Sequence, residues 1–171
     1  MMTTNQKGAL AEAKITAAAL ALGIAVLRPL GDERYDLILD LRPRLLRVQC
    51  NWTVQRGAVV VVTCRTNRRG PDGFIRRTYE SGEIDAIAAY CAANDECYLL
   101  PLELSVATPG VQLRLAPTLN NQRRRIRSAR DYEFGATIER LTGPIAQLGE
   151  RRRGTAEAGG SSPPGSTTEA A

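Results

Sequence analysis

The strongest constraint on the fold lies between Tyr35 and Asn51. Tyr35-Asp36-Leu37-Ile38-Leu39 reads as an apolar strand with an acid near its start, and Arg42-Pro43-Arg44 as the turn that follows. Beyond the turn, Leu46, Val48 and Cys50 alternate with Arg47, Gln49 and Asn51. In a strand that alternation separates an apolar face from a polar one. If the two strands pair as a hairpin, Asp36 comes near Gln49 and Asn51.

Around this hairpin the chain supplies one helix and several short strands. Asn5 to Gly23 carries Ala11, Ile15, Ala18 and Leu22 at helical spacing and stops at a glycine. Strands are expected at Ile24–Leu27, Tyr35–Leu41, Leu45–Trp52 and Ala58–Cys64. Arg65 to Gly82 reads as a polar, Gly-rich loop. Ile84–Tyr90 and Glu96–Leu100 then form a hairpin turning at Ala93-Asn94-Asp95, followed by a strand at Val111–Leu115 and a basic helix at Arg123–Phe134. Glu12, one turn inside the first helix, can approach the polar face of the first hairpin. The pattern predicts an α/β domain with a mixed α+β sheet.

The tail is different. Residues 143–171 are rich in Gly, Ser, Pro and Ala and show no apolar period. Ala146 to Arg151 reads as a translated tRNA D-arm and Gly160-Ser161-Ser162 as a T-arm. Codons for Gly143-Pro144 and Gly165-Ser166 can pair as an acceptor stem. The expected organisation is therefore a domain over 1–142 and a disordered tail over 143–171, read through a tRNA gene. Arg151, Arg152 and Arg153 balance Glu150, Glu157 and Glu169, so the net charge of +5 belongs to residues 1–142.

Several chemistries are excluded. The chain has no His, which removes Ser-His-Asp, Cys-His and His-ligated metal mechanisms. Cys50, Cys64, Cys91 and Cys97 contain no C-x-x-C pair, so they read as buried reduced thiols and not as a zinc site. A metal here must use oxygen ligands. No apolar run reaches the roughly 18 residues of a membrane span, and no signal peptide is evident, so the expected location is cytoplasmic. Only Lys7 and Lys14 are lysines among 23 basic residues. The arginines cluster at Arg65, Arg68, Arg69, Arg76 and Arg77, and again at Arg123, Arg124, Arg125, Arg127 and Arg130. Such clusters suit DNA phosphates, with a solvated Arg-rich face as the alternative. Asn67 and Gln122 are candidates to read base edges.

Taken in order, Lys7-Gly8, Ala11-Glu12-Ala13-Lys14, Pro29-Leu30-Gly31-Asp32, Arg34-Tyr35-Asp36-Leu37, Arg47-Val48-Gln49, Gly82-Glu83-Ile84-Asp85, Tyr98 to Pro101 and Asn120-Asn121-Gln122 carry a resemblance. The chain resembles the PD-(D/E)xK nuclease superfamily, specifically the endonucleases associated with bacterial group I introns. That resemblance implies a restriction-endonuclease-like core with flanking helices and a homing-type DNA endonuclease, homo-oligomeric and dependent on Mg²⁺ or Mn²⁺. It makes Glu12 and Asp36 the metal acids, Gln49 the third site position, and Asn51 the occupant of the motif lysine position. It makes double-stranded DNA the partner.

Position 51 is where the chain departs from the pattern. An amide can orient a water but carries no charge, and losing an electrostatic group of this kind costs about 10²–10³ in rate. Arg47, on the same face, and Lys14, in the helix beside Glu12, are candidate replacements. A catalytically silent DNA-binding relic and a Holliday-junction-resolvase-like enzyme are the competing readings. Asp36 also has a purely structural alternative, an ion pair with Arg34 or Arg44. Glu12 has one as well, as an acid near a helix start. Asp85 reads as structural.

Overall fold

The structure, a computed structural model, describes residues 1–70, 73–106, 108–117 and 126–143. Gln122, Arg123, Arg124, Arg125 and the tail beyond residue 143 lie outside these. The described elements up to Leu141 form one compact unit.

Helix α1 spans Thr4–Ala21. Thr3 opens it through a capping box: its hydroxyl accepts from Gln6 N–H, and the Gln6 side chain accepts from Thr3 N–H at 2.8 Å. It ends where Gly23 adopts a left-handed φ of 73°. Gly23 N–H bonds Leu20 O and Ile24 N–H bonds Ala19 O, which satisfies the last carbonyls. Ala11, Ile15 and Ala19 form the buried stripe.

Strands β1 (Ala25–Leu27), β2 (Leu37–Asp40) and β3 (Leu45–Arg56) form an antiparallel meander. The 12-residue β3 is the spine of the sheet. One edge pairs in parallel with β7 (Ala86–Cys91), from Val48↔Ala86 to Thr53↔Cys91. Its other edge is shared: β2 lies beside Leu45 to Val48, and β4 (Val59–Thr63) beside Val54 to Arg56. β8 (Glu96–Pro101) pairs with β7, and β9 (Gly110–Arg114) with β4. Every residue of β7 is buried, as befits a central strand covered on both faces.

Alternation in β3 sorts the core. Leu46, Val48 and Cys50 join Leu37, Leu39, Leu99, Ile15 and Ala19 under the helices, while Ile87, Ala89, Leu100, Val60 and Leu113 belong to a second cluster. Helix α2 (Phe134–Thr142) contributes Phe134 and Ile138 to the first cluster.

Two elements differ from the sequence expectation. Arg65 to Gly82 is not a loop: β5 (Arg65–Gly70) and β6 (Gly73–Thr78) form a separate two-stranded ribbon with Thr66 opposite Arg77. Ladder bonds are made by backbone, so an arginine-rich strand that serves no core lacks apolar alternation. The basic helix over Arg123–Phe134 is also corrected within the described residues. Ala129–Tyr132 is a short 3₁₀ turn, and Phe134 begins a helix where it was expected to end one. The 3.6-residue signal there is Phe134, Thr137, Ile138 and Leu141, which the arginine cluster masked. β3 also runs four residues past Trp52.

Gly8 lies inside α1, and a Cβ added there meets nothing within 4 Å. Gly8→Ala is therefore expected to raise stability by about 0.5–1 kcal/mol, the helix-interior cost of glycine, measured by urea denaturation. An unchanged or lowered midpoint would show that the site does not behave as helix interior.

Candidate active site

The shared edge of β3 leaves a gap. β2 leaves it after pairing Leu37 with Val48, and β4 pairs only from Val54 onward. Between them the edge opens beside Gln49 to Thr53. Asp36, just ahead of β2, fills part of the opening: its N–H bonds Val48 O at 3.0 Å, and its Oδ2 accepts Cys50 N–H at 2.7 Å. Gln49 Nε2 donates to the same carboxylate oxygen.

Glu12 is close enough for its charge to act on Asp36, and Arg28 Nη1 lies 3.0 Å from Glu12 Oε2. Burial is the main cause that raises the Asp36 pKa above the ordinary carboxylate range; the Cys50 N–H opposes it and the Glu12 charge adds to it. The Cys50 thiol is pushed far up by burial and by both acids, so it stays protonated.

A cleft of about 580 Å³ opens beside this point. Gln49, Cys50, Asn51 and Trp52 of β3, Lys7 and Gly8 of α1, Thr63, Arg65 and Tyr79 are among its walls. Asp36 reaches it through its bonds to Gln49 and Cys50, and neither Asp36 nor Glu12 lines it. Asn51 lines the cleft, but its Nδ2 donates to Thr63 O at 3.0 Å and so bridges β3 to β4.

A PD-(D/E)XK endonuclease family model matches residues 2–135. The chain belongs to the PD-(D/E)XK endonuclease family. The solved structure of the bacterial homing endonuclease I-Ssp6803I is similar, with a TM-score of 0.62 at 26% identity, covering 90% of this chain and 100% of that one. No curated protein matches. This PD-(D/E)XK endonuclease has a mixed α+β fold, and its function class is nuclease.

The fold brings Glu12, Asp36 and Gln49 together and puts Asn51 next along the strand. Gln49 uses its amide nitrogen on Asp36, which leaves the carbonyl oxygen as its donor atom for a cation. Among the described residues no group of three or more His, Cys, Asp and Glu stands ready to hold a metal. The set on offer is two carboxylates and an amide oxygen, hard donors of the kind that Mg²⁺ and Mn²⁺ take.

Neither candidate replacement for the lysine reaches the cleft. Arg47 closes on Asp85, with Nε to Oδ2 and Nη2 to Oδ1 both at 3.0 Å, and Asp85 also accepts Arg47 N–H at 2.8 Å. The Asp85 carboxyl is held below its usual pKa by this clamp. Lys14 pairs with Asp95 at 2.6 Å and lies over Tyr90.

Of the arginines, Arg65 lines the cleft and Arg77 bonds Glu83 at the base of the ribbon. Arg68, Arg69 and Arg76 occupy backbone positions in the ribbon. Arg127 is half-buried beside β9, where its carbonyl accepts Arg114 N–H at 2.8 Å. Arg34 lines the cleft and pairs with Glu83 at 3.2 Å.

Sequence reasoning missed Arg28 as the partner of Glu12, because only the return of the chain after β1 places it there. Lys7 on the cleft wall was missed too, although a signal was present: it precedes Ala11 and Ile15 by four and eight residues, so the buried stripe of α1 points it at the sheet.

The Asp36 environment has a consequence for stability. Its folded pKa exceeds the unfolded one, so the folded state holds the extra proton between the two values, and stability falls as pH rises through that window. Asp36→Asn is expected to melt at or above wild type near neutral pH. The advantage should vanish as pH drops below the ordinary carboxylate range, in thermal melts across pH. A variant that melts lower at neutral pH than at acid pH, relative to wild type, would contradict this.

Proposed function

We infer that this protein is a divalent-metal-dependent DNA endonuclease of homing type, acting in the cytoplasm as a dimer or tetramer. The observation that carries the reading is the pairing of a desolvated carboxylate, Asp36, with Glu12 and the Gln49 amide at the point where the sheet edge opens into a cleft. The similarity to I-Ssp6803I, a bacterial homing endonuclease, supports the biological class. Two-fold assembly is the simplest way to present two such sites to the two strands of a duplex.

Glu12, Asp36 and the Gln49 carbonyl would hold the cation. When bound, Mg²⁺ polarises a phosphoryl oxygen and lowers the pKa of water. The chain itself orients the reacting parts. The Cys50 N–H and the Gln49 amide fix Asp36, and Arg28 offsets the charge of Glu12. Hydrolysis joins the oxygen of one water to phosphorus and breaks one phosphorus–oxygen ester bond. One water proton ends on the departing alkoxide oxygen and the other is released to solvent.

The β5–β6 ribbon is the DNA-reading element in this proposal, because a two-stranded ribbon fits the major groove. Arg65, Arg68, Arg69, Arg76 and Arg77 lie along it, and Arg123, Arg124, Arg125 and Arg127 add positive charge from the segment after β9. Arg65→Ala is expected to weaken duplex binding and lower the slope of log affinity against log salt by about one counterion. An unchanged slope would remove Arg65 from the interface.

One observation favours a second reading, a DNA-binding relic without turnover: the motif lysine is an asparagine whose amide is engaged with Thr63. Plasmid nicking in Mg²⁺ or Mn²⁺ separates the two. Metal-dependent nicking by wild type that disappears in Asp36→Ala is the expected result. Binding without nicking by wild type, together with nicking by Asn51→Lys, would establish the relic.

A further inference from the structure

We propose that Lys7 supplies the positive charge at the scissile phosphate, in place of the lysine absent from position 51. This rests on the nuclease reading above and adds to it the residue that completes the site.

Among the described residues three cations line the cleft, Lys7, Arg34 and Arg65, together with the acids Asp32 and Glu33. Arg34 is paired with Glu83. Arg65 is the first residue of the ribbon, an element separate from the one that carries Glu12. Lys7 stands in the second turn of α1, the helix that also carries Glu12. Ala11 and Ile15, four and eight residues on, are fully buried against the sheet, so the Lys7 stem runs toward β3. Its ammonium lies 5.8 Å from the centroid of the Trp52 ring, and Trp52 is the neighbour of Asn51.

Among the described residues no carboxylate pairs with Lys7. The aromatic face holds the ammonium without neutralising it, so its charge stays available to an incoming anion. Gly8 beside it lines the same cleft. Asn51 itself is neutral and bridges to β4.

A lysine reaching in from the helix can do what a lysine on the strand does. In phosphodiester hydrolysis negative charge gathers on the phosphoryl oxygens as water attacks. A fixed ammonium in a confined cleft stabilises that charge without taking or giving a proton.

The test uses the full chain, supercoiled plasmid with Mn²⁺ or Mg²⁺ for single-turnover nicking, and a labelled duplex at fixed salt for affinity. Lys7→Met keeps the length of the side chain and its packing. It is expected to nick about 10²–10³ more slowly while duplex affinity changes only a few-fold. Lys7→Arg should retain much of the rate, and Lys7→Met combined with Asn51→Lys should recover it, since the charge returns from the strand. Matching melting temperatures confirm that each variant is folded.

Wild-type nicking by Lys7→Met would overturn the proposal. So would equal losses of affinity and rate, which would make Lys7 a backbone contact, or failure of the double variant to recover. If wild type is silent and Asn51→Lys alone nicks, Lys7 does not substitute, yet the nuclease site stands. If neither binds nor nicks any DNA, the nuclease reading falls and this one with it.

Discussion

The site depends on how a β-strand with two different neighbours on one edge deals with the residues between them. β3 borrows β2 for its first four residues and β4 for its last three, and the backbone facing the gap has no strand to bond. An unpaired N–H there would be costly once it is removed from water. Asp36 resolves this by turning its carboxylate onto Cys50 N–H. That bond fixes the carboxylate beside Gln49, opposite the first helix and at the lip of the cleft. Split edge, satisfied amide and half-buried acid are one feature seen from three sides.

The same feature sets the electrostatics. A carboxylate that caps a sheet edge is partly withdrawn from solvent, and its neighbour Glu12 is also negative. Sites that hold like charges at close range are poorly matched to an empty fold and well matched to a bound cation. Arg28 answers part of the mismatch from the loop after β1. Asp85 shows the contrast: it meets Arg47 in a two-pronged clamp, its pKa falls, and its charge is consumed by structure. One acid is paired with a guanidinium, while the other is held by uncharged amide donors alone.

Legibility in the sequence followed the physical origin of each element. Alternation of Leu46, Val48 and Cys50 with polar residues fixes a face, so the hairpin that carries Asp36 and Gln49 was readable. The meeting of Glu12 with Asp36 was legible only as an approach of the first helix to the hairpin; that the helix packs on the Leu46, Val48 and Cys50 face is seen in the structure. The β5–β6 ribbon was not readable, because its pairing rests on backbone bonds between residues such as Thr66 and Arg77 that bury no common core. Helix α2 was hidden for the opposite reason. Its apolar spacing from Phe134 to Leu141 is plain, but the arginines upstream drew the helix to the wrong place. Arg28 belongs to neither case, since only tertiary return brings it to Glu12.

The charges around the gap are of both signs. Asp36 and Glu12 meet where β2 begins, and the cleft wall itself carries Asp32 and Glu33 together with Lys7, Arg34 and Arg65. Asn51, on the same wall, carries no charge and ties β3 to β4 through Thr63. An asparagine there adds no cation but makes a hydrogen bond across the split edge. The cleft keeps cations all the same, because they come from the helix, the approach to β2 and the ribbon, elements that the strand position does not control.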